Sequence, residues 1–237
     1  MGKSEQRPLE QSFAAAIPLN GDASAVVVPS GTKLKVSAFL EDLNGGVYLV
    51  VRQHKDGKVS IELAGGAFEE ERDRNLLQAV RREIDEEACN TPFHVTTIFS
   101  NIIAEYQDRF SKDGIEIPRM TVVFRSVCWG SPPQNAIPDQ HLGVIRVPVT
   151  TFSGQETFRA YGDIKRDSID KAEQLVQNQG RKIVGDIDFR VPENLYMAYV
   201  DSRIKENRQM HPFERMQRFY ASRFQALLYN DVSPERM

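Results

Sequence analysis

One stretch constrains the fold of this chain more than any other: a strand-like segment, a double glycine, an acidic loop and an amphipathic helix follow one another within residues 61–90. Residues 75–88 have the apolar spacing of a helix of about four turns. At about 100° per residue, Glu83, Glu86 and Glu87 fall on one face of that helix. The neighbouring arc is apolar and consists of Leu77, Val80, Ile84 and Ala88. The pattern therefore predicts a helix that buries one side and holds three carboxylates along its margin.

Three carboxylates on one helix face repel each other, so the cluster favours a compensating cation. Arg81 and Arg82 of the same helix could supply part of the positive charge. A hard divalent ion supplies it better, because Mg²⁺ takes carboxylate oxygens in octahedral geometry and commonly bridges them to substrate phosphates. A solvated acidic face is the alternative interpretation. Asp85 points nearly the opposite way and is expected at the surface.

The rest of the chain is divided into three regions by its hydrophobic pattern. Strands are predicted at 34–40, 47–52, 59–63, 94–106, 120–129 and 143–149, with a polar loop at 107–119. After about residue 157 the pattern is helical, with helices predicted at 169–179, 193–206 and 212–229. We therefore expect an N-terminal arm over 1–32, an α/β domain over 33–155 and a helical C-terminal extension over 156–237.

Composition excludes several classes of protein. The chain has 237 residues with 30 basic and 33 acidic side chains, a net charge of -3, which favours neither nucleic acid nor an anionic membrane. Its two cysteines, Cys89 and Cys128, lie far apart and indicate neither a disulfide framework nor a zinc site. Apolar runs are strand-sized, so no membrane span or secretory signal is predicted. We expect a cytoplasmic protein.

The glycines and the helix together resemble the signature of the Nudix hydrolase family. The run Arg82-Glu83-Ile84-Asp85-Glu86-Glu87 matches the second half of the family's box residue for residue, and Gly65-Gly66 follows a strand as the family's glycines do. The loop from Gly66 to Arg82 is two residues longer than the family's, so the first glutamate of the box has no unique counterpart. Glu71 or Glu70 is the stand-in, and Glu71 is our choice. Ala64 and Cys89 replace the usual proline and glycine.

This resemblance implies an α/β/α sandwich with a mixed sheet. It also implies hydrolysis, dependent on Mg²⁺ or Mn²⁺, of a phosphoanhydride in a nucleoside diphosphate linked to another group, such as ADP-ribose or a dinucleoside polyphosphate. The implied metal ligands are Glu83, Glu86, Glu87 and the backbone at Gly66. The implied catalytic residues are Glu83, as ligand or water-activating base, Glu86, and an Arg82 that orients Glu71.

Residues outside the box are less constrained by the resemblance. Candidate substrate-binding residues are Arg52, Tyr106 and Glu116. Family members recruit a further acid from a variable loop, and the acids available here are Glu105, Asp108, Glu116 and Asp139. The four histidines, His54, His94, His141 and His211, are isolated in the sequence and are expected to be structural or at the surface.

Other functional classes remain open at this stage. One is a catalytically degenerate Nudix fold that senses a nucleotide or acts as a scaffold through its C-terminal helices. Another is hydrolysis at the 5′ end of RNA, although the net charge makes a nucleic acid partner unlikely by this criterion. The apolar stripe of the helix at 212–229 also suggests a packing face or a homodimer contact through the C-terminal helices.

Overall fold

A computed structural model of the chain describes residues 15–19, 25–88, 94–112, 114–130, 133, 141–148 and 161–209. Strands within these residues are β1 (Ala15–Pro18), β2 (Ala25–Val28), β3 (Lys33–Asp42), β4 (Gly46–Gln53), β5 (Val59–Glu62), β6 (Ala64–Ala67), β7 (His94–Lys112), β8 (Ile115–Gly130), β9 (His141–Pro148) and β10 (Asp188–Phe189). The helices are α1 (Leu76–Ala88), α2 (Tyr161–Asn178) and α3 (Glu193–Gln209). None of these helices is both long enough and apolar enough to cross a bilayer.

Eight strands form one mixed sheet. Its central order is β10-β5-β4-β3-β8-β7, with β6 paired to β3 and β9 paired to β4. The β3–β8 and β10–β5 pairs are parallel, whereas the other pairs are antiparallel. Because parallel neighbours require a crossover, the chain leaves the sheet between β6 and β7 through α1.

The sheet separates two apolar cores, one on each face. Alternation along β3 sends Val36 and Leu40 into the core beneath α1, and Phe39 into the core beneath α2 and α3. Helix α1 contributes Leu76, Val80 and Ile84 to the first core, and α2 and α3 contribute Ile164, Val176, Leu195 and Tyr199 to the second. Helices on both faces of a mixed sheet confirm the predicted α/β/α sandwich.

The N-terminal segment forms a β-hairpin that covers the start of α1. β1 and β2 pair antiparallel as a separate two-stranded sheet. Val26 and Val28 are buried in the core beneath α1. The backbone oxygen of Leu19 accepts a hydrogen bond from the N–H of Leu77 at 3.1 Å, which satisfies one of the donors that a helix start leaves open.

The sequence pattern located most strands and misjudged two regions. The predicted polar loop at 107–119 is wrong, because β7 and β8 continue through it as one long hairpin in which Asp108 pairs with Arg119. The double glycine does not break the strand pattern either, because both glycines lie within β6. The helix predicted at 169–179 begins earlier, at Tyr161, and the helix predicted at 212–229 lies outside the described residues.

The C-terminal segment adds to the sheet as well as covering it. β10 pairs in parallel with β5, a strand that the pattern of the extension did not predict. On α3, Tyr199 is fully buried, its ring stacks on Phe39 at a centroid distance of 4.2 Å, and its hydroxyl donates to Glu41 at 2.5 Å. The second oxygen of Glu41 accepts a hydrogen bond from Arg125 at 2.5 Å. The pair Glu41–Arg125 thus ties α3 to β3 and β8 inside the core.

We expect Tyr199→Phe to lower the free energy of unfolding by about 1–3 kcal/mol, because the buried Glu41 carboxylate loses the hydrogen bond that the Tyr199 hydroxyl donates. Arg125→Met should cost more, about 3–5 kcal/mol, because it leaves Glu41 as a buried charge without its cation. Urea denaturation followed by circular dichroism measures both. Equal and small losses, within about 0.5 kcal/mol of zero, would contradict the anchoring role.

Candidate functional site

Two glycines bring α1 against the sheet. In β6, Gly65 and Gly66 pair with Ser37 and Val36 of β3. A Cβ on Gly65, whose φ is +156°, would lie 2.3 Å from the backbone oxygen of Val36. A Cβ on Gly66 would lie 2.4 Å from a carboxylate oxygen of Glu83. The sheet therefore requires glycine at position 65, whereas glycine at position 66 leaves room for the end of the Glu83 side chain.

The helix itself begins where the sequence suggested. Asn75 precedes α1 and its side-chain oxygen accepts the N–H of Gln78 at 2.8 Å, which is the contact of an N-cap residue. Glu83 and Glu87 are only 6% and 5% exposed, and Asp85 is exposed and pairs with Arg81. The predicted division of the helix between a carboxylate margin and a solvent face is correct.

Glu87 lies at the junction of helix and sheet. Its Oε2 accepts the backbone N–H of Gly65 at 2.8 Å, and its Oε1 accepts a hydrogen bond from Arg52 at 2.9 Å. His141 of β9, 1% exposed, places Nε2 3.3 Å from the same Oε1. Arg52 Nε donates to His141 Nε2 at 3.1 Å, so the guanidinium, the carboxylate and the imidazole meet at this point.

Arginines hold the other two box carboxylates. Arg82 donates to Glu83 at 2.5 Å and to Glu86 at 3.2 Å, and Arg72 donates to Glu86 at 2.6 Å. The pKa of Glu83 is nonetheless raised, first by burial and further by the negative charges of Glu87 and Glu86, while Arg82 opposes the shift. Burial is thus the main reason that the charged form of Glu83 is disfavoured, and Arg82 offsets part of this cost.

Arg82 pairs with Asp73, whereas the family resemblance led us to expect that Arg82 orients Glu71. Asp73 is 3% exposed and accepts hydrogen bonds from Arg82 Nε at 3.0 Å and Nη2 at 2.9 Å. This pairing raises the pKa of Arg82. Glu71 and Glu70 are exposed in the loop. Counting back from Arg82 with the family's spacing places the first acid of the box at position 74, which is an arginine. Asp73 is one residue earlier, so allowing a shift of one residue in the longer loop predicts Asp73 as that acid.

A second group of charges adjoins the box and was not predicted. Glu62, the last residue of β5, lies 3.4 Å from Arg52, 4.0 Å from Lys35 and 3.9 Å from Arg190. Arg52, a predicted substrate-binding residue, thus lies between Glu62 and the box residue Glu87. We name Lys35, Glu62 and Arg190 the Glu62 cluster. Register alone could not reveal it, because its members come from β3, β5 and the segment after β10.

The other two predicted substrate-binding residues, Tyr106 and Glu116, lie in different surroundings from Arg52. Tyr106 of β7 is half-buried, packs against the core beneath α2 and α3, and has its pKa raised by burial. Its β8 partner Thr121 pairs in turn with Lys35, so Tyr106 lies two strands from the Glu62 cluster. Glu116 is exposed near the tip of the β7–β8 hairpin, roughly 17 Å along β8 from Thr121. The structure does not bring Glu116 to the box.

The remaining candidate acids outside the box are Asp108, Glu105 and Asp139. Asp108 is bound by both ends of the Arg119 guanidinium, and Glu105 is exposed on β7. Asp139 lies outside the described residues. Among the acids that the structure describes outside the box, Glu62 is the one that shares a cation with it.

The donor set fits a hard divalent cation in its chemistry. Glu83, Glu86 and Glu87 offer carboxylate oxygens, the ligands that Mg²⁺ prefers, and all three belong to α1. Within the described residues, no three acid, histidine or cysteine side chains converge on one point. Cation binding therefore has to replace contacts that Arg72 and Arg82 make with Glu86 and Glu83.

Comparison with known proteins identifies the family. The chain matches the NUDIX domain over residues 31–165, more than half its length, and it belongs to that family. No curated protein matches the sequence significantly.

Similar solved structures include three Nudix folds. An Ap4A hydrolase of C. elegans, in a binary complex, is 12% identical with a TM-score of 0.44, covering 73% of this chain and 99% of its own. The NUDIX domain of Shewanella oneidensis NrtR complexed with ADP ribose is 18% identical with a TM-score of 0.35, covering 62% and 88%. A MutT protein of Methanosarcina mazei is 20% identical with a TM-score of 0.38, covering 63% and 96%.

We expect Asp73→Ala to lower the free energy of unfolding by about 3 kcal/mol, because it leaves the guanidinium of Arg82 partly buried without its bidentate partner. Glu71→Ala is the matched control and should stay within about 0.5 kcal/mol of the unsubstituted chain, since Glu71 is exposed. Chemical denaturation of the two variants decides between the residues. A larger loss of stability for Glu71→Ala than for Asp73→Ala would identify Glu71 as the partner of Arg82.

The two glycines should differ in their response to alanine. Gly65→Ala forces its methyl group into the Val36 backbone and should lower the midpoint of thermal unfolding by more than about 8 °C. Gly66→Ala meets only the end of the Glu83 side chain, which can move, so a smaller decrease is expected. Differential scanning calorimetry measures both, and equal decreases would be inconsistent with this packing.

Proposed function

We propose that this chain is a divalent-metal-dependent hydrolase of phosphoanhydrides in nucleoside diphosphates linked to another group. The observation that carries the proposal is the juxtaposition of three box carboxylates with the β6 glycines in a member of the NUDIX family. The Shewanella structure contains ADP ribose and the C. elegans structure is named for Ap4A hydrolysis. Both substrate types belong to the proposed class.

Glu83, Glu86 and Glu87, with the backbone at Gly66, are the residues proposed to hold Mg²⁺ or Mn²⁺. When bound, such a cation stabilises negative charge on phosphoryl oxygens and makes a water molecule more acidic. Glu86 is the most exposed of the three, at 36% of its side chain, and its partner Arg72 is 51% exposed. It is therefore the carboxylate most free to turn from arginine to cation.

The reaction is attack of water on phosphorus. The water oxygen forms the new P–O bond, one of its protons passes to a carboxylate base, and the anhydride P–O bond breaks to leave two products that each end in a phosphate, such as AMP and ribose 5-phosphate from ADP-ribose. Glu83 is our proposed base or ligand because its carboxylate is held against Gly66 by Arg82. Arg82 acts as a positioning residue, since Asp73 fixes its guanidinium from the opposite side.

A catalytically degenerate sensor or scaffold is the alternative, and one observation favours it. Arg72 and Arg82 pair with the box acids, so they supply positive charge at the place where a cation would bind. A domain of this kind would bind a nucleotide without turnover. We further propose a cytoplasmic location and a homodimer formed through the C-terminal helices, and a nucleic acid partner remains the less favoured alternative.

The test is release of phosphate monoesters from ADP-ribose, other nucleotide sugars, dinucleoside polyphosphates, nucleoside triphosphates and 5′-triphosphate RNA with Mg²⁺ or Mn²⁺. We expect turnover of at least one substrate and its loss on adding EDTA. Glu86→Gln should reduce kcat by about 100-fold or more, because a charged ligand to the cation is lost.

Asp85→Asn is the matched control for this experiment. Asp85 belongs to the same helix, but it is exposed and contacts Arg81 on the opposite face. Its substitution should leave kcat within about twofold of the unsubstituted chain. Absence of turnover on every substrate, together with nucleotide binding that raises the unfolding temperature, would favour the sensor.

A further inference from the structure

The Glu62 carboxylate lies among three cations without a hydrogen bond to any of them. Its side chain is 12% exposed, and its oxygens lie 3.4 Å from Arg52, 3.9 Å from Arg190 and 4.0 Å from Lys35. Oε1 is buried and has no hydrogen-bond partner in the part of the chain that the structure describes. A buried carboxylate ordinarily accepts hydrogen bonds, so this oxygen is an exception that requires an explanation.

The cations around Glu62 are directed elsewhere. Arg52 Nε donates to His141 and its terminal nitrogen to Glu87, and Arg190 Nε lies 2.7 Å from Asp188. Separations of 3.4 to 4.0 Å are too long for direct hydrogen bonds but match contacts completed by a ligand hydroxyl or a water molecule. The Glu62 cluster therefore offers a carboxylate whose side chain is 12% exposed, together with nearby donors.

The position of the cluster relates it to the proposed reaction. Arg52 bridges Glu62 and Glu87, so a single guanidinium separates the cluster from the box. Arg190 is held there by the backbone, because its N–H donates to the oxygen of Ile61 at 2.9 Å next to β10. The C-terminal segment thus contributes a side chain to the surroundings of the box.

Charge distinguishes two kinds of ligand. A phosphodiester or substituted diphosphate at the cluster would bring its own negative oxygens against Glu62 and close to Glu87, and it has no hydrogen atom to donate to the Glu62 carboxylate at neutral pH. A sugar diol is neutral, donates two O–H groups and accepts hydrogen bonds from Lys35 and Arg190. Carboxylates bind ribose hydroxyls in this way in dinucleotide-binding folds. The cluster therefore suits a diol better than a phosphate.

We propose that the Glu62 cluster is a subsite for the vicinal diol of a sugar in the substrate, which favours nucleotide sugars with an intact cis-diol next to the diphosphate. Glu62 accepts from the hydroxyls, and Lys35 and Arg190 donate to them. This inference rests on the proposed function, because the box supplies the adjoining diphosphate position. Glu62, at the end of β5, and Arg190, in the segment after β10, would then determine substrate specificity together.

The experiment measures binding without turnover, by calorimetry on the full chain with ribose 5-phosphate and 2-deoxyribose 5-phosphate. The two probes differ only in the 2-hydroxyl. We expect the unsubstituted chain to bind ribose 5-phosphate about tenfold or more tightly than the deoxy sugar, since hydrogen bonds to a charged acceptor are strong. Glu62→Gln should bring the ratio of the two affinities to about one.

Two further variants keep the test specific. Glu173→Gln, an exposed acid of α2, is the matched control and should keep the tenfold preference. Lys35→Met should weaken both sugars while the preference remains, which preserves the test if Glu62→Gln does not fold. Thermal unfolding of each variant verifies that it is folded.

Three results would overturn the subsite. They are equal affinity for the two sugars in the unsubstituted chain, a preference that survives Glu62→Gln, and absence of measurable binding. Tighter binding of inorganic phosphate by Glu62→Gln without any sugar preference would identify a phosphate site instead. The outcome is independent of hydrolysis. A diol preference without turnover would support the subsite and reject the proposed enzyme. Turnover without a diol preference would reject only the subsite.

Discussion

The structure depends on the close approach of α1 to β6. The hydrogen bond from the Gly65 N–H to Glu87 joins a helix carboxylate to the sheet backbone, and the absence of a side chain on Gly66 leaves space for Glu83. Leu76, Val80 and Ile84 of the same helix are completely buried in the core below. The apolar stripe therefore supplies the attraction, while the glycines set the distance at which carboxylates meet backbone.

That close approach places three carboxylates near one another, and arginines supply positive charge beside them. Burial makes Glu83 and Glu87 depend on partners, and Arg52, Arg72 and Arg82 pair with the three box carboxylates from β4, the loop and α1. Asp73 completes the arrangement from the far side of Arg82. A cation at the box would enter an existing ion-pair network, so its binding is an exchange of partners rather than the filling of a vacant acidic face.

Much of the fold could be predicted because its signals are local. The carboxylate face of α1 follows from helical spacing alone, and the strands before the box follow from short apolar runs between turn residues. Residues 107–119 were misjudged because their polar side chains lie on a long two-stranded hairpin, where exposure permits polarity in a strand. The β6 strand was missed because glycine weakens strand propensity while close packing requires it.

The site was predictable only where it lies within one element. Glu83, Glu86 and Glu87 share a helix. The acid that pairs with Arg82 lies in the lengthened loop, where we expected Glu71 and the structure has Asp73. The Glu62 cluster brings together residues 35, 62 and 190, and His141 reaches Glu87 from β9. Such contacts arise from sheet order and the parallel pairing of β10 with β5, which no short sequence pattern encodes.

Titration of the full chain with Mn²⁺, followed by the electron paramagnetic resonance signal of the free ion, tests the central claim most directly. The account predicts saturable binding that Glu86→Gln weakens markedly and that excess Mg²⁺ displaces. A folded chain that leaves all of the Mn²⁺ free at millimolar concentration would show that the arginine pairs, and not a cation, are the permanent partners of these carboxylates.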